Sequence, residues 1–92
     1  MILSFADEET KELWNSERSK TYAGIARVAL RKLLQLQAAE KFGDLAVPPG
    51  NRLEALSGKR KGQHSVRVND QWRICFIWTS KGPEKVTICD YH

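Results

Sequence analysis

Several things are scarce in this 92-residue chain, and each scarcity excludes a class of protein. No apolar run approaches the roughly 20 residues that a membrane-spanning helix needs. Met1-Ile2-Leu3-Ser4-Phe5 is too short for a secretory signal and runs straight into Asp7-Glu8-Glu9. The two cysteines, Cys75 and Cys89, form no CxxC and share no ligand spacing with the two histidines, His64 and His92. No cluster of His, Asp and Glu suggests a metal site, so neither metal nor cofactor is expected. No glycine-rich phosphate loop ends in Lys-Ser or Lys-Thr, and no Ser or Cys stands beside a recognisable base. Without a membrane or export segment, a cytoplasmic protein with reduced thiols is the expectation, with both cysteines as small strand fillers.

What remains is globular in composition, with 41% apolar and 28% charged residues, a size suited to one small domain. The net charge of +4 is unevenly distributed. From Arg52 to Arg73, six basic side chains (Arg52, Lys59, Arg60, Lys61, Arg67, Arg73) stand against Glu54 and Asp70, an excess equal to that of the whole chain. Such a segment is either a face for a polyanion or a solvated surface with uneven charge.

Met1–Phe5 reads as a short strand. Asp7 opens a helix whose first turn is acidic, as the helix dipole favours, with Leu13 and Trp14 apolar. A longer helix is predicted over about 21–40, with Tyr22, Ile25, Ala29, Leu33 and Leu36 on one face and Arg27, Arg31, Lys32 and Gln35 on the other. Gly43 ends it and Pro48-Pro49-Gly50 forces a loop, in which Asn51 caps the turn. Strands follow at 63–68, 72–79 and 85–91. The order predicts an α+β fold, with helices packed on one face of a mostly antiparallel sheet whose apolar side is Trp72, Ile74, Phe76 and Trp78.

Register can be argued from burial. A three-residue loop, Asn69 to Gln71, sets Val68 opposite Trp72 and Val66 opposite Ile74, whereas a two-residue loop would set apolar against polar. Arg67 then faces Arg73, and Ser65 faces Cys75. Two facing arginines repel unless an anion or an acid lies between them, or solvent separates them. Guanidinium forks suit phosphate, which is one way to meet that condition. Matching Val86 and Ile88 to Trp78 and Phe76 brings Tyr91 opposite Arg73 and Cys89 opposite Cys75, where the two thiols would meet if oxidised. In that register Asp90 turns towards the apolar face.

These residues could cleave RNA through its own 2′-hydroxyl. Arg67 and Arg73 would stabilise charge, while Lys59, Arg60, Lys61 and Arg52 grip the backbone. Proton carriers could be His92, Tyr91, Asp90, Glu54 or His64, with His92 best matched to neutral pH. His64 alternates onto the core side, which makes it structural. Glu54 reads equally as a solvated strand-edge acid or a base.

The run from Pro48 to Gly58, Pro-Pro-Gly-Asn-Arg-Leu-Glu-Ala-Leu-Ser-Gly, the run from Gly62 to Phe76 with its Asn-Asp-Gln-Trp-Arg, and the closing Asp90-Tyr91-His92 resemble the HigB toxins. These are plasmid maintenance killer proteins of the wider RelE/ParE superfamily. The resemblance spans nearly the whole chain and implies a RelE-like fold. It implies a ribosome-dependent endoribonuclease that cuts mRNA in the A site, neutralised by a HigA-type helix-turn-helix antitoxin that carries the pair to operator DNA. By the same resemblance Arg73 is the phosphate-stabilising arginine, Asp90, Tyr91 and His92 the catalytic terminus, and Arg67 a second contact. The chain departs at Glu54-Ala55-Leu56-Ser57, where some relatives carry a histidine followed by Pro-Leu-Lys; either the proton-transfer duty moves to His92 with help from Lys59 or Arg60, or cleavage is slower. A ParE-like gyrase poison and a non-catalytic nucleic-acid-binding module are the competing readings, and the Asp-Tyr-His end speaks against the first.

Overall fold

The computed structural model describes residues Met1–Asp90; Tyr91 and His92 lie outside the described residues. Two helices, α1 (Glu8–Ser16) and α2 (Ala26–Ala38), precede a four-stranded antiparallel sheet in the order β1-β2-β3-β4. Its strands are β1 (Glu54–Ala55), β2 (His64–Arg67), β3 (Trp72–Thr79) and β4 (Gly82–Asp90). The expected α+β layout is therefore present.

Helix α1 begins where the acidic turn placed it. The Asp7 carboxylate accepts from the Thr10 N–H at 2.7 Å, an N-cap that also complements the helix dipole. The other Asp7 oxygen accepts from the Thr87 hydroxyl, and the Thr10 hydroxyl accepts from the Ile88 N–H at 3.1 Å. One helix end is thus stitched to β4. Helix α2 is shorter than its periodicity suggested. Residues 21–25 form turns, with the Tyr22 N–H donated to Ser19 Oγ, and Ala39 takes extended angles that end the helix before Gly43. Lys32 also departs from expectation: it is buried with Ala29, Leu33 and Leu36 and does not face solvent.

The core lies between the helices and one face of the sheet, where Leu13, Leu33, Leu36, Val66, Ile74, Phe76 and Val86 are essentially inaccessible. Trp72 and Trp78 are half-buried at its margins; Trp72 meets Tyr22 edge-on and Trp78 meets Phe42. His64 packs against the Phe42 ring at 4.7 Å, which fits the structural role expected of it.

The β2–β3 register is the one burial selects: Arg67 pairs with Arg73, Val66 with Ile74 and Ser65 with Cys75. The β3–β4 register differs from expectation by two residues at its far end, with Arg73 opposite Cys89, Cys75 opposite Thr87 and Trp72 opposite Asp90. The cause is a tight two-residue turn, Ser80-Lys81, that pairs Thr79 with Gly82 and starts β4 three residues early. A bulge follows, since two steps on β3 (Ile77 to Cys75) match three on β4 (Glu84 to Thr87). Lys85 takes up the extra residue at φ 52°, its N–H received by Ser4 Oγ at 2.9 Å. The bulge restores the alternation that keeps Val86 and Ile88 in the core. Gly82 has a second constraint at φ 137°: a Cβ there would stand 2.3 Å from the Met1 carbonyl oxygen.

The N-terminal segment runs parallel to β4 rather than forming a full strand. Leu3 N–H reaches Pro83 O, Val86 N–H reaches Ser4 O and Ala6 N–H reaches Val86 O, all within 3.0 Å, with one bridge at Phe5–Val86. No helix among the described residues is long and apolar enough to cross a membrane.

Candidate functional site

Side chains alternate across a sheet, so the pairings decide what shares the face turned away from the helices. Glu54 pairs with Ser65, which pairs with Cys75; Arg67 pairs with Arg73, which pairs with Cys89. The two rows run side by side. The question raised by facing arginines is resolved through acids and carbonyls on the protein. Arg67 donates to Asp70 at 2.5 Å across the turn that joins β2 to β3. Arg73 turns the other way, along its own face, towards Ser65 and Glu54.

Arg73 was expected on an exposed basic surface, yet only 5% of it is accessible. Its Nε donates to Ser65 Oγ at 2.6 Å, and its Nη2 donates to Arg52 O at 2.5 Å and to Ser65 O at 3.3 Å. Glu54 Oε1 lies 3.8 Å from Nε. Ser65 sits diagonally across the ladder from Arg73, within reach of a long side chain, and is itself fully buried. Two anchored nitrogens fix the plane of the guanidinium and not merely its position.

Beside it is an open groove of about 480 Å³, lined by Glu54, Ser57, Arg60, Cys75, Cys89 and Asp90 among others. Asp90 is exposed, contrary to the inward orientation expected of it. Its position opposite Trp72 has the inward parity, but it stands at the sheet's end, where Gln71 Nε2 donates to Oδ2 at 3.3 Å. The groove thus carries two carboxylates and Arg60, next to a buried cation. Lys59, Arg60 and Lys61 are exposed on and beside a 3₁₀ turn, Gly58–Arg60, and Arg52 is exposed on the loop before β1. Of the basic segment legible in the sequence, Arg60 lines the groove, with Lys59 and Lys61 next to it in the chain.

Cys75 and Cys89 are joined as a disulfide rather than standing as free fillers. The register explains it: Cys89 lies opposite Arg73, diagonal to Cys75, with a Cα–Cα distance of 6.6 Å that a disulfide spans. The row expected to run Arg67–Arg73–Tyr91 instead runs Arg67–Arg73–Cys89. Tyr91 and His92 lie outside the described residues, as said.

A second buried polar group lies behind this site. Asn51, expected as a turn cap, is fully buried. Its Oδ1 accepts from Lys32 Nζ at 2.5 Å, and its Nδ2 donates to Gln35 Oε1 at 2.9 Å and Leu45 O at 3.0 Å. The available signal was Lys32, a cation within the apolar stripe of α2, three residues after Ala29. Burial, then Arg31 and Arg67, push the Lys32 ammonium below its ordinary range.

A family model for HigB-like toxins, described as RelE-like toxins of the type II toxin–antitoxin system HigB, matches residues 3–92. Toxin HigB-1 of Vibrio cholerae serotype O1 is 39% identical over 80 residues, spanning 85% of this chain and 84% of that protein. An uncharacterized protein of Haemophilus influenzae is 36% identical over 63 residues, spanning 68% of this chain and 62% of that one. Among solved structures, the YoeB–YefM complex from Staphylococcus aureus superposes with a TM-score of 0.62 at 15% identity, covering 100% of this chain and 98% of the other. A YafQ mutant from E. coli superposes with a TM-score of 0.60 at 16% identity, covering 98% and 91%. At such identities these two speak for the fold alone. Sequence and fold agree: the chain belongs to the HigB-like toxin family, as a RelE-like toxin of a type II toxin–antitoxin system, with a cognate antitoxin as its implied partner.

Proposed function

We propose that this toxin is a ribosome-dependent endoribonuclease that cleaves mRNA in the A site through attack of the RNA's own 2′-hydroxyl, and so arrests translation. The observation that carries this reading is Arg73, a guanidinium held in a fixed plane beside an open groove that two carboxylates and Arg60 line. In-line attack gathers negative charge on the phosphate oxygens, and a preorganised cation stabilises that charge without reorganising. Glu54 and Asp90, which line the groove, are the proposed groups to take a proton from the 2′-hydroxyl or orient a substrate group. His92, with Tyr91 beside it, is the proposed donor to the departing 5′-oxygen. Lys59, Arg60, Lys61, Arg52 and Arg67 grip the backbone on either side. The chain's own residues supply every group this route needs, so it calls for no metal.

The proposal includes a HigA-type helix-turn-helix antitoxin, contact with operator DNA only through it, no membrane association, and action in the cytoplasm. Purified toxin added to programmed ribosomes should cut the message in the A site and leave the same RNA intact when it is free. Equal cleavage of free RNA, or none on ribosomes, would remove the ribosome-dependent reading.

A further inference from the structure

We propose that Asn51, clamped by Lys32, is a positioning residue that sets the orientation of Arg73. The claim rests on the reading of Arg73 as the phosphate-stabilising cation and adds what holds that cation in place.

A buried ammonium is costly to a core, and an apolar side chain would fill the same space on α2 with no desolvation. Among the described residues Lys32 has no carboxylate within ion-pair distance; its hydrogen-bonded partner is the neutral Asn51. Asn51 then spends its amide on Gln35 of α2 and on the Leu45 and Val47 carbonyls, at 2.9, 3.0 and 3.4 Å. Its backbone N–H closes a turn onto Pro48 O at 2.9 Å. The residue is thus tied on every side to α2 and to the preceding loop.

The next residue carries the consequence. Arg52 takes left-handed angles, φ 45° and ψ 54°, and its carbonyl accepts from Arg73 Nη2 at 2.5 Å. Ser65 Oγ holds Nε, a point close to the axis about which the guanidinium plane turns. Arg52 O, at 2.5 Å, is the shorter of two contacts on the outer nitrogen, with Ser65 O at 3.3 Å, and so constrains that rotation. A carbonyl on a left-handed residue in an irregular loop has no ladder to fix it. Here it is fixed because the residue before it is locked to α2. The path runs from Lys32 to Asn51, through one peptide to Arg52 O, and on to Arg73.

The test uses the full-length toxin and Asn51→Ala, with Lys32→Met as a second variant should the first fail to fold. The first readout needs no cleavage: hydrogen exchange of the Arg73 Nε–H, followed by nitrogen-15 NMR, against the Ile74 and Phe76 amides. Exchange of the side-chain proton should accelerate about tenfold or more while the strand amides keep their protection. Unchanged exchange in a folded variant would overturn the proposal. The second readout is cleavage on programmed ribosomes. Here kcat should fall about tenfold with KM nearly constant, with no further loss when the same substitution is added to Arg73→Ala. Additive losses would mean that Asn51 acts elsewhere. If Arg73→Ala cleaves as the wild type does, the functional reading fails, and the exchange measurement alone still decides whether Asn51 orients the guanidinium.

Discussion

Replacing Arg73 with alanine separates folding from chemistry, because the two costs can be worked out independently. The substitution removes hydrogen bonds to Ser65 Oγ and Arg52 O, with a longer one to Ser65 O. Charge-assisted bonds are worth roughly 1.5–3 kcal/mol each, but the variant no longer desolvates a guanidinium. The groove of about 480 Å³ alongside is roomy enough for water to reach the orphaned oxygens. A net loss of about 1–3 kcal/mol follows, against the roughly 5–15 kcal/mol typical of a small domain. At the middle of the first range, even a protein at the bottom of the second retains about 3 kcal/mol and stays more than about 95% folded. Chemistry suffers more, since a single preorganised donor to a developing anion is worth about 10²- to 10³-fold in rate. Thermal unfolding of the variant, followed by single-turnover cleavage on programmed ribosomes well below its midpoint, measures both. Cleavage within about tenfold of wild type by a folded Arg73→Ala protein would refute the assignment of charge stabilisation to this residue.

Asp7→Ala removes both an N-cap and the acceptor of the Thr87 hydroxyl, for about 2–4 kcal/mol, and should lower the melting temperature by roughly 10–25 °C with cleavage per folded molecule unchanged. Changing Lys59, Arg60 and Lys61 together to alanine should reduce the slope of log affinity for single-stranded RNA against log salt by about 2; an unaltered slope would show that the run does not touch phosphate. Because burial, Arg31 and Arg67 lower the Lys32 pKa, the unfolded chain binds more protons between that lowered value and 10.5. This group therefore adds stability as pH rises through that window. Lys32→Met should flatten that rise in urea titrations from about pH 7 to about pH 10, short of the range where Tyr22, raised by burial and by Asp7 and Glu9, acts in the opposite sense. Equal slopes in the two proteins would count against the buried ammonium.

Much of this fold was legible because burial left few choices. Val66 and Val68 could meet Ile74 and Trp72 in only one register, and that register alone brought Arg67 opposite Arg73. The β3–β4 register differs from the expected one because β4 begins at Gly82 rather than Lys85: Pro83 pairs with Trp78 and its carbonyl accepts from the Leu3 N–H. A proline can stand in a strand where no ladder needs its missing N–H, and nothing local announces the bulge at Lys85. The expected register set Tyr91 in the place Cys89 holds and Cys89 directly opposite Cys75, where the thiols could also meet, rather than diagonal to it. For the candidate site, residue type singled out Arg73 and Glu54 as candidates, but Arg73 is buried where an exposed basic face was expected. The buried hydrogen bonds of Asn51 and Ser65 were not legible, because their partners, Lys32, Gln35 and Leu45 O for one and Arg73 for the other, are brought in from other elements, which sequence spacing does not encode.

The most direct test maps mRNA 5′ ends across the transcriptome shortly after the toxin is expressed in cells lacking its antitoxin, alongside Arg73→Ala. New 5′ ends should appear within translated reading frames, and should disappear with the substitution and when translation initiation is blocked. Intact transcripts accompanied by DNA damage, or cleavage that persists in untranslated RNA, would contradict ribosome-dependent cleavage.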